Sequence, residues 1–146
     1  MSAERRLVEV SRQLPVTPER AWAVVGDFAG LAAWLAGAEM LEADGELRRF
    51  RIGGAVFSET LLCRDEARRF LGYRLTDGPL PVEDYEVTLR VTPAAAGSRI
   101  RLSALYLPAG LAEEKCRRLL SRALGGSLDD LAAFLERGRN KALPGL

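Results

Sequence analysis

Histidine is absent from this 146-residue chain. That absence excludes histidine acid–base catalysis, a Ser-His-Asp triad and any imidazole metal ligand. Cysteine occurs only at Cys63 and Cys116, far apart and in no metal or redox motif. Both thiols are expected to be free and buried, and no metal or cofactor is expected. Lysine occurs only at Lys115 and Lys141; the arginines are scattered among acids, with 21 basic residues against 20 acidic and a net charge of +1. A nucleic-acid partner would call for basic charge concentrated on one face, so none is expected. Long apolar runs are missing too. The most apolar stretch, "LAAWLAGA" (31–38), falls far short of the ~20 residues of a membrane span, so stable membrane insertion is not expected. The opening "MSAERRLVEV" has charges with no apolar run behind them, so no secretory signal is expected and the protein is read as cytoplasmic.

What is present is the mix of an ordinary globular protein, 48% hydrophobic and 28% charged. The length suits one domain, and no repeat or low-complexity linker divides it. The expectation is a single domain over residues 1–146, with its core at about 5–137 and a frayed tail at 138–146.

"RLVEVSRQLP" (6–15) alternates and ends at a proline, which predicts a strand. In "VTPERAWAVVGDF", Thr17 can cap a helix, Pro18 fits its first position and Glu19 suits its positive end. Ala21, Trp22, Val25 and Phe28 give that helix an apolar stripe. A break at the glycines leads to a second short helix, "AGLAAWL" (29–35). Six strands follow, joined by turn signals. "AEMLEA" precedes Asp44-Gly45, "ELRRFRI" precedes Gly53-Gly54, and "AVFSETLLC" precedes "RDEA". "RRFLGYRLT" precedes "DGPLP", "VEDYEVTLRVT" precedes "PAAAGS", and "RIRLSALYL" ends at Pro108. Consecutive strands of this kind form an antiparallel meander. A long helix, roughly 110–137, carries Leu120, Leu124, Leu128, Leu131 and Leu135 at three- and four-residue steps, widened by Leu119, Ala123 and Phe134. Gly125-Gly126 interrupts it. The first reading of that pair is close approach to a strand; the alternative is that the glycines leave room for something else. A sheet of seven strands with one long amphipathic helix implies an α+β fold in which a strongly curved sheet wraps the helix. Such a wrap leaves space between the two.

Glu59 is the residue that raises a question. In "VFSETLLCRDE" the more apolar strand face carries Phe57, Glu59, Leu61 and Cys63. A carboxylate there is costly unless paired, hydrated or protonated. Either the strand faces solvent at that point or the interior is not a simple core. Tyr85 alternates with Val87, Leu89 and Val91 and is expected to point inward, its hydroxyl needing a partner. Tyr106 shares a face with Ile100, Leu102 and Ala104, and Arg101 lies on the other. A β-bulge would exchange those faces and bring Arg101 in as a counter-ion for Glu59. Trp22 is read as packing the first helix onto the sheet. Leu80 is expected as an exposed apolar tip of a stiff loop.

The order β-α-α-β6-α resembles the helix-grip fold of the START and Bet v 1-like (SRPBCC) superfamily, in particular its bacterial polyketide cyclase/dehydrase-like proteins. The resemblance covers about residues 5–137. It is carried by "VTPERAWAVVGDFAGLAAW", "ETLLCRDEARRFLGYRL", "GPLPVEDYEVTLRVTP" and "PAGLAEEKCRRLL". It implies a seven-stranded curved antiparallel sheet gripping a long C-terminal helix, with two short helices between strands 1 and 2. It also implies an apolar cavity between sheet and helix that takes lipids, polyketides or aromatic molecules. The resemblance turns Glu59, Tyr73 and Tyr85 inward. It places pocket-closing loops at "IGGAV" (52–56) and "GPLPV" (78–82), a cavity-closing position at Trp34, and a polar helix residue at Ser127. The lysine that pairs with an acidic ligand in the related plant hormone receptors has no counterpart around Ala36–Ala38.

Three functional readings follow. In the first, the protein binds a small hydrophobic or amphipathic ligand. Phe57, Leu61, Tyr73, Leu75, Val87, Leu119 and Ala123 supply the walls, Leu80 closes the mouth, and Glu59, Tyr85 and Ser127 orient polar groups. In the second it is a cofactor-independent cyclase or dehydratase in which Glu59 exchanges the proton and Tyr85 polarises a carbonyl. In the third it is an interaction module, a homodimer formed through the helix face or the 78–82 loop, with a small or filled cavity.

Overall fold

The turn chemistry of the sequence marks out the strands. A computed structural model describes residues 4–141. Strand β1 (Arg6–Leu14) leads to helix α1 (Pro18–Val25) and a 3-10 segment (Phe28–Ala33). Then come β2 (Ala38–Ala43), β3 (Leu47–Ile52), β4 (Ala55–Asp65), β5 (Phe70–Asp77), β6 (Val82–Ala94) and β7 (Gly97–Pro108), followed by helix α2 (Glu113–Lys141). At the start of α1 the Thr17 hydroxyl accepts from the Arg20 N–H at 3.2 Å, and Pro18 occupies the first turn, where its missing N–H costs nothing. The Asp44 carboxylate accepts from the N–H groups of Glu46 and Leu47 at 2.8 and 2.7 Å, which sets the β2–β3 turn.

The strands form one antiparallel sheet in the order β1-β7-β6-β5-β4-β3-β2. Strands β2 to β7 are a continuous meander, and β1 returns to pair with β7, Arg6 opposite Tyr106 and Leu14 opposite Ser98. The sheet curves around α2 in the helix-grip arrangement. Gly97, at φ 142°, lets the β6–β7 turn close on the end of β1; a Cβ there would lie 2.5 Å from the Leu14 carbonyl oxygen.

The core lies between α2 and the β1–β7 side of the sheet. Leu120, Leu124, Leu128, Leu131 and Leu135 of α2 are buried with Val8, Ile100, Leu102 and Ala104. Each leucine contributes on the order of 1.5–3 kcal/mol. Trp22 of α1 is buried, and its indole N–H donates to Glu66 at 2.7 Å, fastening α1 to the β4–β5 turn.

Several expectations need correcting. Helix α2 starts at Glu113 because Gly110, at φ 82°, cannot belong to a right-handed helix. It continues through Lys141, so residues 138–141 are helical; the rest of the expected tail, 142–146, lies outside the described residues. The second short helix is a 3-10 segment. No strand approaches Gly125 or Gly126: a Cβ at either would meet nothing within 4 Å. Cys63 is exposed on β4, whereas Cys116 is buried.

Candidate functional site

The two-residue turn at Gly53-Gly54 sets Ile52 opposite Ala55, and counting back along both strands brings Arg48 opposite Glu59. Both point to the concave face, where their side chains are only 7% and 9% exposed. The Arg48 Nε–H donates to Glu59 Oε1 at 2.7 Å, and an Nη1–H donates to the Phe28 carbonyl at 3.1 Å. The guanidinium also lies over the rings of Phe28 and Tyr73, 4.0 and 4.7 Å from their centroids. Glu59 therefore has a counter-ion, and it is Arg48 rather than Arg101. Arg101 sits opposite Ser11 and Arg90 on the outer, exposed face of β7. The bulge in β6 falls between Glu83 and Glu86, near Tyr85, and leaves the register around Arg101 regular.

The pair forms part of the wall of a cavity of about 390 Å³ between the sheet and α2. Of the residues picked from the sequence, Phe57, Glu59, Tyr73, Leu80, Tyr85, Ala123 and Ser127 line it. Leu61 and Leu75 are half-buried beside it and Val87 is fully buried; all three pack with the core instead of facing the space. Leu119 is 37% exposed and faces away, since the cavity opens along α2 only from Arg122 onward. Leu80 is not an exposed tip. It is half-buried against the core, and its loop is tied to the start of α2 where the Pro81 carbonyl accepts from the Ala109 N–H (2.9 Å) and the Cys116 thiol (3.5 Å). Gly126 lines the cavity, so this glycine leaves room instead of admitting a strand. Tyr106 is buried elsewhere, its hydroxyl 3.4 Å from Glu113.

Sequence reading missed Arg48 and Phe50 inside and Asp130 at the rim. Trp34, half-buried, lines the cavity at the end of the 3-10 segment. One residue group bridges the rim: Asp130 of α2 accepts from the Ala36 N–H at 3.1 Å. Arg122, exposed on the same helix, also lines the opening.

Burial pushes the Glu59 carboxyl above its ordinary value of 4.5, while the charge and hydrogen bond of Arg48 oppose the rise. Arginine stays charged in proteins, so protonating Glu59 would strand a buried cation; the pair is therefore ionic at neutral pH. Burial, together with the nearby Glu59 charge, pushes the hydroxyls of Tyr73 and Tyr85 well up, so both remain protonated and able to donate. The Tyr85 hydroxyl has no hydrogen-bond partner among the described residues, nor has Glu59 Oε2. The Ser127 hydroxyl donates to the Ala123 carbonyl at 3.1 Å and keeps its acceptor capacity. Among the described residues, no group of cysteine, aspartate and glutamate is arranged to hold a metal ion, and no helix is long and apolar enough to cross a membrane. The site thus offers an apolar enclosure, a neutralised ion pair and two tyrosine hydroxyls.

Residues 5–136 match the family profile described as polyketide cyclase / dehydrase and lipid transport. No curated protein gives a significant match. Among solved structures, the chain is similar to an uncharacterised protein from Bacillus thuringiensis, with 23% identity over 89% of this chain and 99% of that one and a TM-score of 0.83. It is similar to a START superfamily protein from Mycobacterium smegmatis, at 14% identity over 90% and 97% of the two chains, TM-score 0.74. It also resembles the Zhui aromatase/cyclase from Streptomyces sp. R1128, at 18% identity over 96% and 97%, TM-score 0.71. At these identities the likeness to solved structures is one of fold.

Proposed function

The chain belongs to the polyketide cyclase/dehydrase and lipid transport family, and from that premise we propose that it binds a small hydrophobic or amphipathic molecule between its sheet and α2. The observation that carries this reading is the cavity itself. It has about 390 Å³ of space, walls of leucine and aromatic side chains, and a few polar side chains among them. That is the usual composition of a small-molecule site. An interaction module would have a filled interior, so the cavity favours the ligand readings over the third.

A specific observation also supports the enzyme reading. Glu59 and Tyr85 both line the cavity, and Glu59 Oε2 and the Tyr85 hydroxyl are without described partners, as a proton acceptor and a carbonyl-polarising donor would be. Binding alone accounts for the same groups, and the bond to Arg48 already occupies one of the two Glu59 oxygens. Binding is therefore the primary reading, and a cyclase or dehydratase activity the second.

Native mass spectrometry of the purified protein tests the first reading through a co-purified small molecule, backed by calorimetric titration with alkylphenols. A protein that carries nothing and binds none of them would refute it. With a ligand in hand, Glu59→Gln separates the two. Weakened binding without turnover in either form supports a carrier or sensor; lost turnover with retained binding supports an enzyme.

A further inference from the structure

We propose that the cavity selects an uncharged ligand bearing a hydroxyl group, a phenol or alcohol, over the matching carboxylic acid. The inference rests on the ligand-binding reading and names the chemistry of its ligand.

The first argument is charge. Arg48 is the inner cation of the cavity, and its charge is already matched by Glu59 at 2.7 Å. Two of its N–H groups are committed, to Glu59 and to the Phe28 carbonyl, and its planar face is taken up by the Phe28 and Tyr73 rings. A ligand carboxylate entering beside it would place two anions around one cation in a space shielded from water. The rim offers no net attraction either, because Arg122 and Asp130 are of opposite sign. The charged groups lining the cavity sum to zero.

The second argument is hydrogen-bond capacity. Glu59 Oε2 can only accept, and the Tyr85 hydroxyl can donate or accept. A ligand hydroxyl donates to the carboxylate while accepting from the tyrosine. An ether can accept but not donate, and a carboxylate meets Glu59 as acceptor against acceptor. A site built around unpartnered polar groups discriminates most sharply against ligands that leave those groups unpaired.

The test compares three probes of one shape, 4-hexylphenol, 4-hexylanisole and 4-hexylbenzoate, by isothermal titration calorimetry at pH 7.5. The phenol is expected to bind on the order of tenfold or more tighter than either other probe. Tyr85→Phe is expected to weaken the phenol several-fold and leave the benzoate unchanged. Glu59→Gln frees the Arg48 charge and is expected to invert the preference, the benzoate gaining as the phenol loses. If Glu59→Gln does not fold, Tyr85→Phe carries the test. Equal or tighter binding of the benzoate to the unaltered protein overturns the proposal, including the case in which Arg122→Ala abolishes it and so locates the carboxylate at the rim. Equal binding of anisole and phenol overturns it too, while leaving the ligand-binding reading intact. If no probe binds, the proposal is overturned; the ligand-binding reading falls with it only if native mass spectrometry also finds no co-purified molecule.

Discussion

Replacing Arg48 by methionine removes the charge and keeps most of the volume. The consequence depends on how thoroughly the pair is withdrawn from water. With side chains 7% and 9% exposed and a 2.7 Å contact, Arg48 and Glu59 belong with buried pairs, for which removal of one partner costs about 3–5 kcal/mol. Loss of the stacking over Phe28 and Tyr73 adds about 1 kcal/mol. The Phe28 carbonyl also loses its donor, worth about 1–3 kcal/mol if water does not replace it. A domain of this size has only about 5–15 kcal/mol of total stability, so Arg48→Met should be barely folded. Glu59→Leu alone should cost about 3–5 kcal/mol by stranding Arg48. The double replacement removes both charges, and only the Phe28 and stacking contributions remain, about 2–4 kcal/mol. The three variants form a cycle readable by urea denaturation, followed through the fluorescence of Trp22 and Trp34. With a urea slope of about 2 kcal/mol per molar, Arg48→Met should shift the midpoint down by about 2.5–4.5 M, Glu59→Leu by about 1.5–2.5 M, and the double by only about 1–2 M, well below the two singles summed. Strict additivity, or single losses below about 1 kcal/mol, would show a solvated pair and refute the reasoning.

Three further outcomes follow from the same geometry. Because burial raises the Glu59 carboxyl above 4.5, the folded state holds its proton more tightly than the unfolded one; this contribution is present below about 4.5 and declines as pH rises through the folded value. The stability difference between the unaltered protein and Glu59→Gln should therefore fall as pH rises from about 4.5, and a flat difference in urea titrations across that window would count against it. Gly126→Ala should stabilise α2 by about 0.5–1 kcal/mol, since its Cβ meets nothing within 4 Å, whereas Gly126→Phe should obstruct ligand uptake without unfolding the chain; a melting curve and a calorimetric titration read the two effects. Thr17→Ala should cost about 1 kcal/mol by removing the cap at Arg20, seen as a fall in Tm of a few degrees.

Much of the architecture was legible because turns and periodicity are local. Asp44-Gly45 and Gly53-Gly54 bounded strands whose observed limits lie within a residue or two of the reading. The partner of Glu59 was legible too, but by register and not by face alternation alone: a two-residue turn at Gly53-Gly54 already puts Arg48 across from it. Looking to Arg101 instead required a bulge in the wrong place. The walls were harder. Leu61, Leu75 and Val87 sit on the faces the alternation assigns, yet α2 covers part of the concave surface and only the remainder is cavity. How far along a helix a space opens depends on the curvature of the sheet, which no single strand encodes. Leu119 failed for that reason, and Gly126 was ambiguous until the surrounding space was known.

The pairing of β1 with β7 sets a clock on synthesis. Arg6 emerges early, but its partner Tyr106 is made roughly 5–20 s later at ordinary ribosomal rates of about 5–20 residues per second. The leucines of α2 that complete the core come later still. Until then the growing meander ends in an unpaired strand edge and carries an uncovered apolar face, which are the features that invite aggregation. The nascent chain should accordingly depend on holding chaperones until α2 is made, and its refolding in isolation should be slow for its size, because β1 packs with β7 and α2, segments far from it in sequence.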